Sequence, residues 1–433
     1  MKKIIFAVFV LFLLPFQAQA QTKITVNSGA KIEPLPIAVP DFFVQPGADA
    51  EIAAGIPKII TNNLKGSGLF APIAPGAFVQ NSASIQKDGP HFGEWRAINA
   101  KSLVTGTVTR SQDGRTRVEF RLWDVFGEKQ MIGMAYTTTP ENWRRIAHII
   151  SDEIYKRITG EQAYFDSRIV YVAESGPATH RVKRLAIMDQ DGYNNHYLTD
   201  GRSLVLTPRF SPNEQLITYM AYYNDKPRVY LYNIDTGHQE LLGDFPGMTF
   251  SPRFSPDGNR VVMSMMHNGN SDLYTMDIRN HSLTQLTNSV GIDTSPTYSP
   301  DASKVAFESD RGGTQQIYVM SASGGEAKRI TYGQGRYATP VWSPRGDLIA
   351  FTRLYQGQFC IGVIRPDGSG ERLLTCSYHV EGPTWSPNGR VISFFKDARN
   401  RARISTIDIT GYNEHELATP GDASDPAWSP LNP

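Results

Sequence analysis

Pro208-Arg-Phe-Ser-Pro-Asn213 is the first of six near-copies of one phrase. The others are Pro252-Arg-Phe-Ser-Pro-Asp257, Pro296-Thr-Tyr-Ser-Pro-Asp301, Pro340-Val-Trp-Ser-Pro-Arg345, Pro383-Thr-Trp-Ser-Pro-Asn388 and Pro426-Ala-Trp-Ser-Pro-Leu431. Successive leading prolines lie 44, 44, 44, 43 and 43 residues apart. A fixed period of this length marks a repeat architecture.

The phrase has a physical reading. In Ser255-Pro256-Asp257-Gly258 the proline presets φ for the second turn position, Asp suits the third and Gly tolerates the fourth. An aromatic always precedes the Ser-Pro pair: Phe210, Phe254, Tyr298, Trp342, Trp385 and Trp428. Apolar pairs two residues apart follow, Ile217/Tyr219, Val261/Met263, Val305/Phe307, Ile349/Phe351 and Ile392/Phe394. That spacing puts both side chains on one face of a strand. Third strands are expected at Val229, Leu273, Ile317, Ile361 and Ile404, and short fourth strands end near Leu242, Leu286, Ile330, Leu374 and Leu417. Four short strands per repeat is the size of one propeller blade.

The sixth aromatic, Trp428, has no second strand behind it. The missing strands stand before the first phrase, at Ile169-Val-Tyr171, Leu185-Ala-Ile187 and Tyr197-Leu-Thr199. The expectation is a six-bladed β-propeller over residues 167–433, closed by pairing of the C-terminal strand with the first strands of the array. Closure removes free sheet edges, which an open solenoid of the same units would leave exposed.

At the other end, Met1-Lys2-Lys3, an apolar run from Ile4 to Phe16 and Ala18-Gln-Ala20 read as a signal peptide of residues 1–20. The run is short for a membrane anchor. Export and cleavage after Ala20 follow. Residues 21–31 are polar, with only Ile24 and Val26 apolar, and form an N-terminal tail.

Residues 32–160 read as a small α/β domain, with a linker at 161–166. Its expected elements are a proline-bearing strand from Ile32 to Phe43 and a helix from Ala48 to Leu64 that Pro57 should kink or split. Strands follow at Leu103–Arg110, Arg117–Val125 and Lys129–Thr137. A last helix carries the stripe Trp143, Ile146, Ile150, Ile154 and Ile158 and stops at Gly160.

Hydrophobic residues make up 40% and charged residues 20%, enough for packed cores. A net charge of +1 argues against a nucleic-acid binder. The two cysteines, Cys360 and Cys376, flank one hairpin turn. They suit a cross-strand disulfide or two buried thiols, and are too few for a metal knuckle.

The chain carries no Gly-x-Ser-x-Gly elbow, phosphate loop or His-Glu-x-x-His pair. No catalytic, metal or cofactor site is therefore assigned. His148 is expected at or near the surface, and Asp189-Gln-Asp191-Gly192 reads as a hairpin turn rather than a calcium loop. What remains is surface. Residues just before each leading proline should ring one mouth of the propeller. These are Leu206-Thr207, Phe250-Ser251, Thr294-Ser295, Ala338-Thr339, Glu381-Gly382 and Ser424-Asp425. Loops between second and third strands should add a positive rim from Arg311, Arg353, Lys396, Arg399 and Arg401. Small polar walls with Met248 and Phe250 suit a peptide or protein loop.

Pro36-Ile-Ala-Val-Pro-Asp-Phe42, Phe165-Asp-Ser-Arg-Ile-Val-Tyr-Val172 and Gly382-Pro-Thr-Trp-Ser-Pro-Asn-Gly-Arg390, with the closing Pro-Ala-Trp-Ser-Pro, carry a resemblance. Along its whole length the chain resembles the TolB family, periplasmic components of the Tol–Pal system. Departures are mild: Asn213-Glu214, Leu431-Asn432 and Arg345 weaken individual turns.

The resemblance implies a non-enzymatic, monomeric adaptor that maintains the outer membrane and helps it constrict at division. It implies that the lipoprotein Pal binds at the propeller mouth, through Met248, Ser251 and Thr294. The geometric ring adds Thr207, Phe250, Ser295, Thr339 and Glu381. It also implies that TolA meets the mature N-terminus, Gln21, Thr22, Lys23, Ile24, Thr25, Val26, Asn27 and Ser28 within 21–31. Membranes would be contacted only through these partners. The competing classes are a propeller-associated peptidase or hydrolase, for which the N-terminal domain offers no nucleophile–base set, and a glycan-binding propeller, for which the ring offers only Phe250.

Overall fold

The computed structural model describes residues 33–224, 226–243, 245, 249–397 and 401–433, with backbone alone at Ala178, Thr249 and Ser251. The expected signal peptide and tail lie outside these residues.

The proline-bearing N-terminal stretch forms two short strands rather than one: β1 (Leu35–Ala38) and β2 (Phe43–Val44). Pro40 has no N–H to give a ladder, so the strand breaks there. Helix α1 (Ala50–Gly66) follows, with Asp49 as N-cap accepting from the N–H groups of Glu51 and Ile52. It is one continuous helical segment with Pro57 inside it, not two. Pro57 removes one helix hydrogen bond. The buried stripe Ile52, Ile56, Ile59, Ile60 and Leu64 outweighs that loss, since each such side chain contributes about 1.5–3 kcal/mol when fully buried.

Strand β3 (Phe70–Pro72) and two short helices, α2 (Ser82–Asp88) and α3 (Phe92–Ala97), come next. An antiparallel meander of β4 (Ser102–Arg110), β5 (Thr116–Asp124) and β6 (Lys129–Thr138) then completes the sheet, in order β3-β1-β4-β5-β6. Helix α4 (Trp143–Thr159) ends at Gly160 in the left-handed region. It crosses α1 closely: a Cβ at Gly55 would lie 2.5 Å from the Trp143 ring.

The repeats form six four-stranded antiparallel sheets. Blades 1 to 5 begin with innermost strands Val205–Phe210, Thr249–Phe254, Asp293–Tyr298, Arg336–Trp342 and His379–Trp385. In the sixth, the last strand Asp422–Leu431 pairs antiparallel with Ser167–Ser175, Trp428 opposite Ile169. The Trp428 indole N–H donates to Ser167 Oγ at 2.8 Å. Each innermost strand touches the next, and the sixth touches the first.

The paired apolar residues of each second strand are buried between blades. The repeated serine has its own task. Ser211, Ser255, Ser299, Ser343, Ser386 and Ser429 are all buried. In blades 2, 3 and 5 the hydroxyl donates to the turn's Asp or Asn and accepts from the N–H that opens the next strand. Cys360 and Cys376 face each other across two strands and are joined as a disulfide.

The two domains share one core. Tyr164 stands edge-on to Trp428 with ring centroids 5.7 Å apart, and Tyr155 and Phe165 pack beside them. Glu161, after the α4 cap, accepts from Arg390 Nε at 2.8 Å and lies 3.4 Å from Arg345.

Candidate functional site

Every innermost strand carries an irregularity at the same place. The register shifts between Leu206 and Arg209, Phe250 and Arg253, Thr294 and Thr297, Ala338 and Val341, Glu381 and Thr384, and Ser424 and Ala427. A bulge of this kind bends the strand and re-aims side chains. At its centre the residue before the proline takes positive φ: Thr207 +48°, Ser295 +53°, Thr339 +47°, Gly382 +66° and Asp425 +49°. Proline pushes its predecessor toward extended backbone, and β-branched residues rarely enter the left-handed region. Each of the four non-glycine residues stores on the order of 1–3 kcal/mol, whereas Gly382 adopts this φ without strain. The buried prolines and the ring of blades hold these positions in place.

The described ring side chains are half-buried. Thr294 Oγ1 donates to Glu308 at 2.7 Å, and the other oxygen of Glu308 accepts from the Thr339 N–H at 2.8 Å. Glu308 thereby ties blade 3 to blade 4 at the mouth. Thr339 Oγ1 also bonds Thr352 Oγ1 at 2.8 Å. Thr207 Oγ1 is buried with no partner among the described residues. Phe250 is half-buried, Ser251 is described by its backbone only, and Met248 lies outside the described residues. Gln21 to Ser28 lie outside them too.

Between blades 5 and 6 the mouth opens into a cavity of about 440 Å³ lined by Glu381, Gly382, Ser424, Asp425, Glu174 and Lys183 among others. Burial raises the Glu381 carboxyl above its ordinary value; Asp425 adds to this, and His379 at 3.4 Å opposes it. This side of the mouth is acidic.

The expected positive rim is largely neutralised. Arg311 pairs with buried Asp293 at 2.7 Å, Arg353 lies 3.8 Å from Glu371, and Lys396 pairs with Glu414. Arg401 is exposed, and Arg399 lies outside the described residues. Asp293 opens the innermost strand of its blade, and Glu371 and Glu414 stand in loops just ahead of outermost strands, so the neutralising charge comes from outside the rim loops. Glu308 also escaped the sequence reading. Its one signal is a carboxylate directly after the apolar run Val305-Ala-Phe307 of the strand Lys304–Ser309.

His148 is buried, against expectation, because the neighbouring turn covers it. Its ring nitrogens, with Asp189 and Asp191, have the spacing of a metal site. The hydrogen bonds argue otherwise. Ser151 Oγ donates to the Ala147 carbonyl, so Asn63 Nδ2 must donate to Ser151 and, by the same amide, to His148 Nδ1. His148 Nε2 then carries the ring proton and offers no lone pair. It faces Asp189 and Asp191 at 3.9 and 3.8 Å, while Arg144 already pairs with Asp191 at 2.6 Å. Gln190 donates to Asn63 Oδ1, so the cluster joins the N-terminal helices to blade 6.

Six closed blades, an α/β domain sharing their core and a strained polar mouth define a two-domain β-propeller protein. Residues 155–432 match the family model of the TolB beta propeller domain, and residues 22–131 that of the TolB amino-terminal domain. The chain belongs to the TolB family.

It is 57% identical over 246 residues to a curated Tol-Pal system protein TolB of Paramagnetospirillum magneticum, an alignment spanning 56% of this chain and 54% of that relative. The chain thus spans about half the length of that relative. The crystal structure of TolB from Acinetobacter baumannii matches with TM-score 0.82 at 28% identity, covering 92% of this chain and 97% of that one. Hydrazine synthase of Kuenenia stuttgartiensis, at 14% identity and TM-score 0.51 over 62% of this chain and 47% of its own, shares the fold alone.

Proposed function

We propose that the chain is a non-enzymatic periplasmic adaptor of the Tol–Pal system. It binds the lipoprotein Pal at the propeller mouth and TolA through the mature N-terminus. In that role it maintains outer-membrane integrity and drives constriction at cell division. The observation that carries this reading is the match of both domains to TolB family models. The mouth supports it physically: five preorganised, half-buried positions need little reordering to receive a protein loop. Met248, Phe250, Ser251, Thr294, Ser295, Thr207, Thr339 and Glu381 are its proposed contacts with Pal.

The tail from Gln21 to Ser28 is the proposed TolA segment. A polar stretch of this kind can order on binding and act as a switch.

Titration of purified Pal into the processed chain tests the adaptor role, with a one-to-one complex expected. TolA binding is then measured with and without saturating Pal. A difference supports the switch, because linkage requires coupling between the two sites. Equal TolA affinities remove the switch, and absence of Pal binding removes the adaptor reading.

A further inference from the structure

The residue after each leading proline occupies an equivalent place in all six blades: Arg209, Arg253, Thr297, Val341, Thr384 and Ala427. All six line one cavity of about 450 Å³ on the Ser-Pro side of the central channel. The two arginines stand on adjacent blades. The Nε atom of each is buried and has no hydrogen-bond partner among the described residues. Arg209 bonds only the carbonyl of its own neighbour, Pro208, at 2.7 Å. Neither arginine makes an ion pair among the described residues. Elsewhere the chain satisfies half-buried arginines with carboxylates, as at Arg390–Glu161 and Arg311–Asp293.

Two half-buried like charges, offset only at Arg209 by the more distant Asp425 among the described residues, are poorly compensated and call for a counterion. Burial lowers both guanidinium pKa values; Asp425 opposes this at Arg209, while at Arg253 the proximity of Arg209 lowers it further. A planar guanidinium with free donors fits an oxyanion bidentately.

We propose that Arg209 and Arg253 form a site for a small oxyanion, of the phosphate or carboxylate class, entering the channel from the Ser-Pro face. This is the end opposite the pre-proline mouth, and the proposal stands whether or not Pal binds there.

The processed full chain is titrated with inorganic phosphate, chloride being exchanged to hold ionic strength constant. Thermal midpoint and ³¹P line width are followed. A ligand held only by the folded state raises the midpoint. The expected result is a saturating rise with line broadening, both absent in Arg253→Met. In phosphate-free buffer that variant should melt at or above the parent, having shed an uncompensated charge. Arg253→Lys keeps the charge without the fork, and should bind about tenfold more weakly; it carries the test where Arg253→Met fails to fold. Acetate run in parallel separates the sources: saturation by acetate alone assigns a peptide carboxylate, and saturation by phosphate a free phosphate. No saturation by either anion, or equal saturation in parent and both variants, overturns the proposal.

Discussion

Thr207 concentrates the physics of the mouth in one residue. It is β-branched, precedes a proline, sits at φ +48° and keeps a buried hydroxyl without a partner. Strain and an unmet donor both work against the folded state here. Thr207→Gly removes both and is expected to stabilise the protein by about 1 kcal/mol after the extra chain entropy of glycine. The urea midpoint checks this, and a lower midpoint would mean that the conformation is not strained.

A second residue-scale prediction concerns Asp152. Its oxygens accept from the N–H groups of Phe165 and Asp166 at 2.7 and 2.9 Å, where the chain enters the propeller. Burial, the dominant cause, pushes its carboxyl up to about 7, against the two hydrogen bonds. A raised acid binds its proton more tightly when folded. Its stabilisation is therefore complete below pH about 4 and is lost as pH rises through about 7. Between pH 4 and 8 the parent should lose unfolding free energy relative to Asp152→Asn; parallel curves would refute the assignment.

At the scale of elements, the repeats were legible because each blade needs the same turn and the same buried pair. Ser-Pro turns, second-strand pairs and the split sixth blade all follow from one period. The N-terminal domain was less legible. Helices α2 and α3 have seven and six residues and rest on a cap at Asn81 and on buried Trp95, so periodicity had too little length to show them. Pro57 was over-weighted, because propensity does not see the partner helix that buries the stripe.

The mouth positions could be placed from blade phase, but their strain could not, since a proline predicts extended backbone before it. The rim charges misled because their carboxylate partners stand on other segments of the same blade, each 18 residues away in sequence. The linker offers the test at this scale. Burial works against the Glu161 carboxylate, yet Arg390 and Arg345 hold its pKa below the usual value. Glu161→Ala leaves the nearly buried Arg390 without its partner and should cost about 2 kcal/mol. An unchanged urea midpoint would show that the clasp contributes nothing.

For the whole molecule, closure and mouth are one device. The pairing of Trp428 with Ile169 makes the ring. The ring in turn holds six bulges that would relax in an open sheet. The same core runs on into the N-terminal domain through Tyr164 and Phe165, so a load on the propeller face has a packed route to α4. Pal affinity of two variants tests the proposed docking port most directly. Thr294→Arg places a long cation among the ring residues, whereas Lys328→Glu alters the exposed outer strand of the same blade. The account predicts that calorimetric titration finds binding weakened about thirtyfold or more for Thr294→Arg, and parental affinity for Lys328→Glu. Parental affinity in Thr294→Arg, or an equal loss in both, would contradict it.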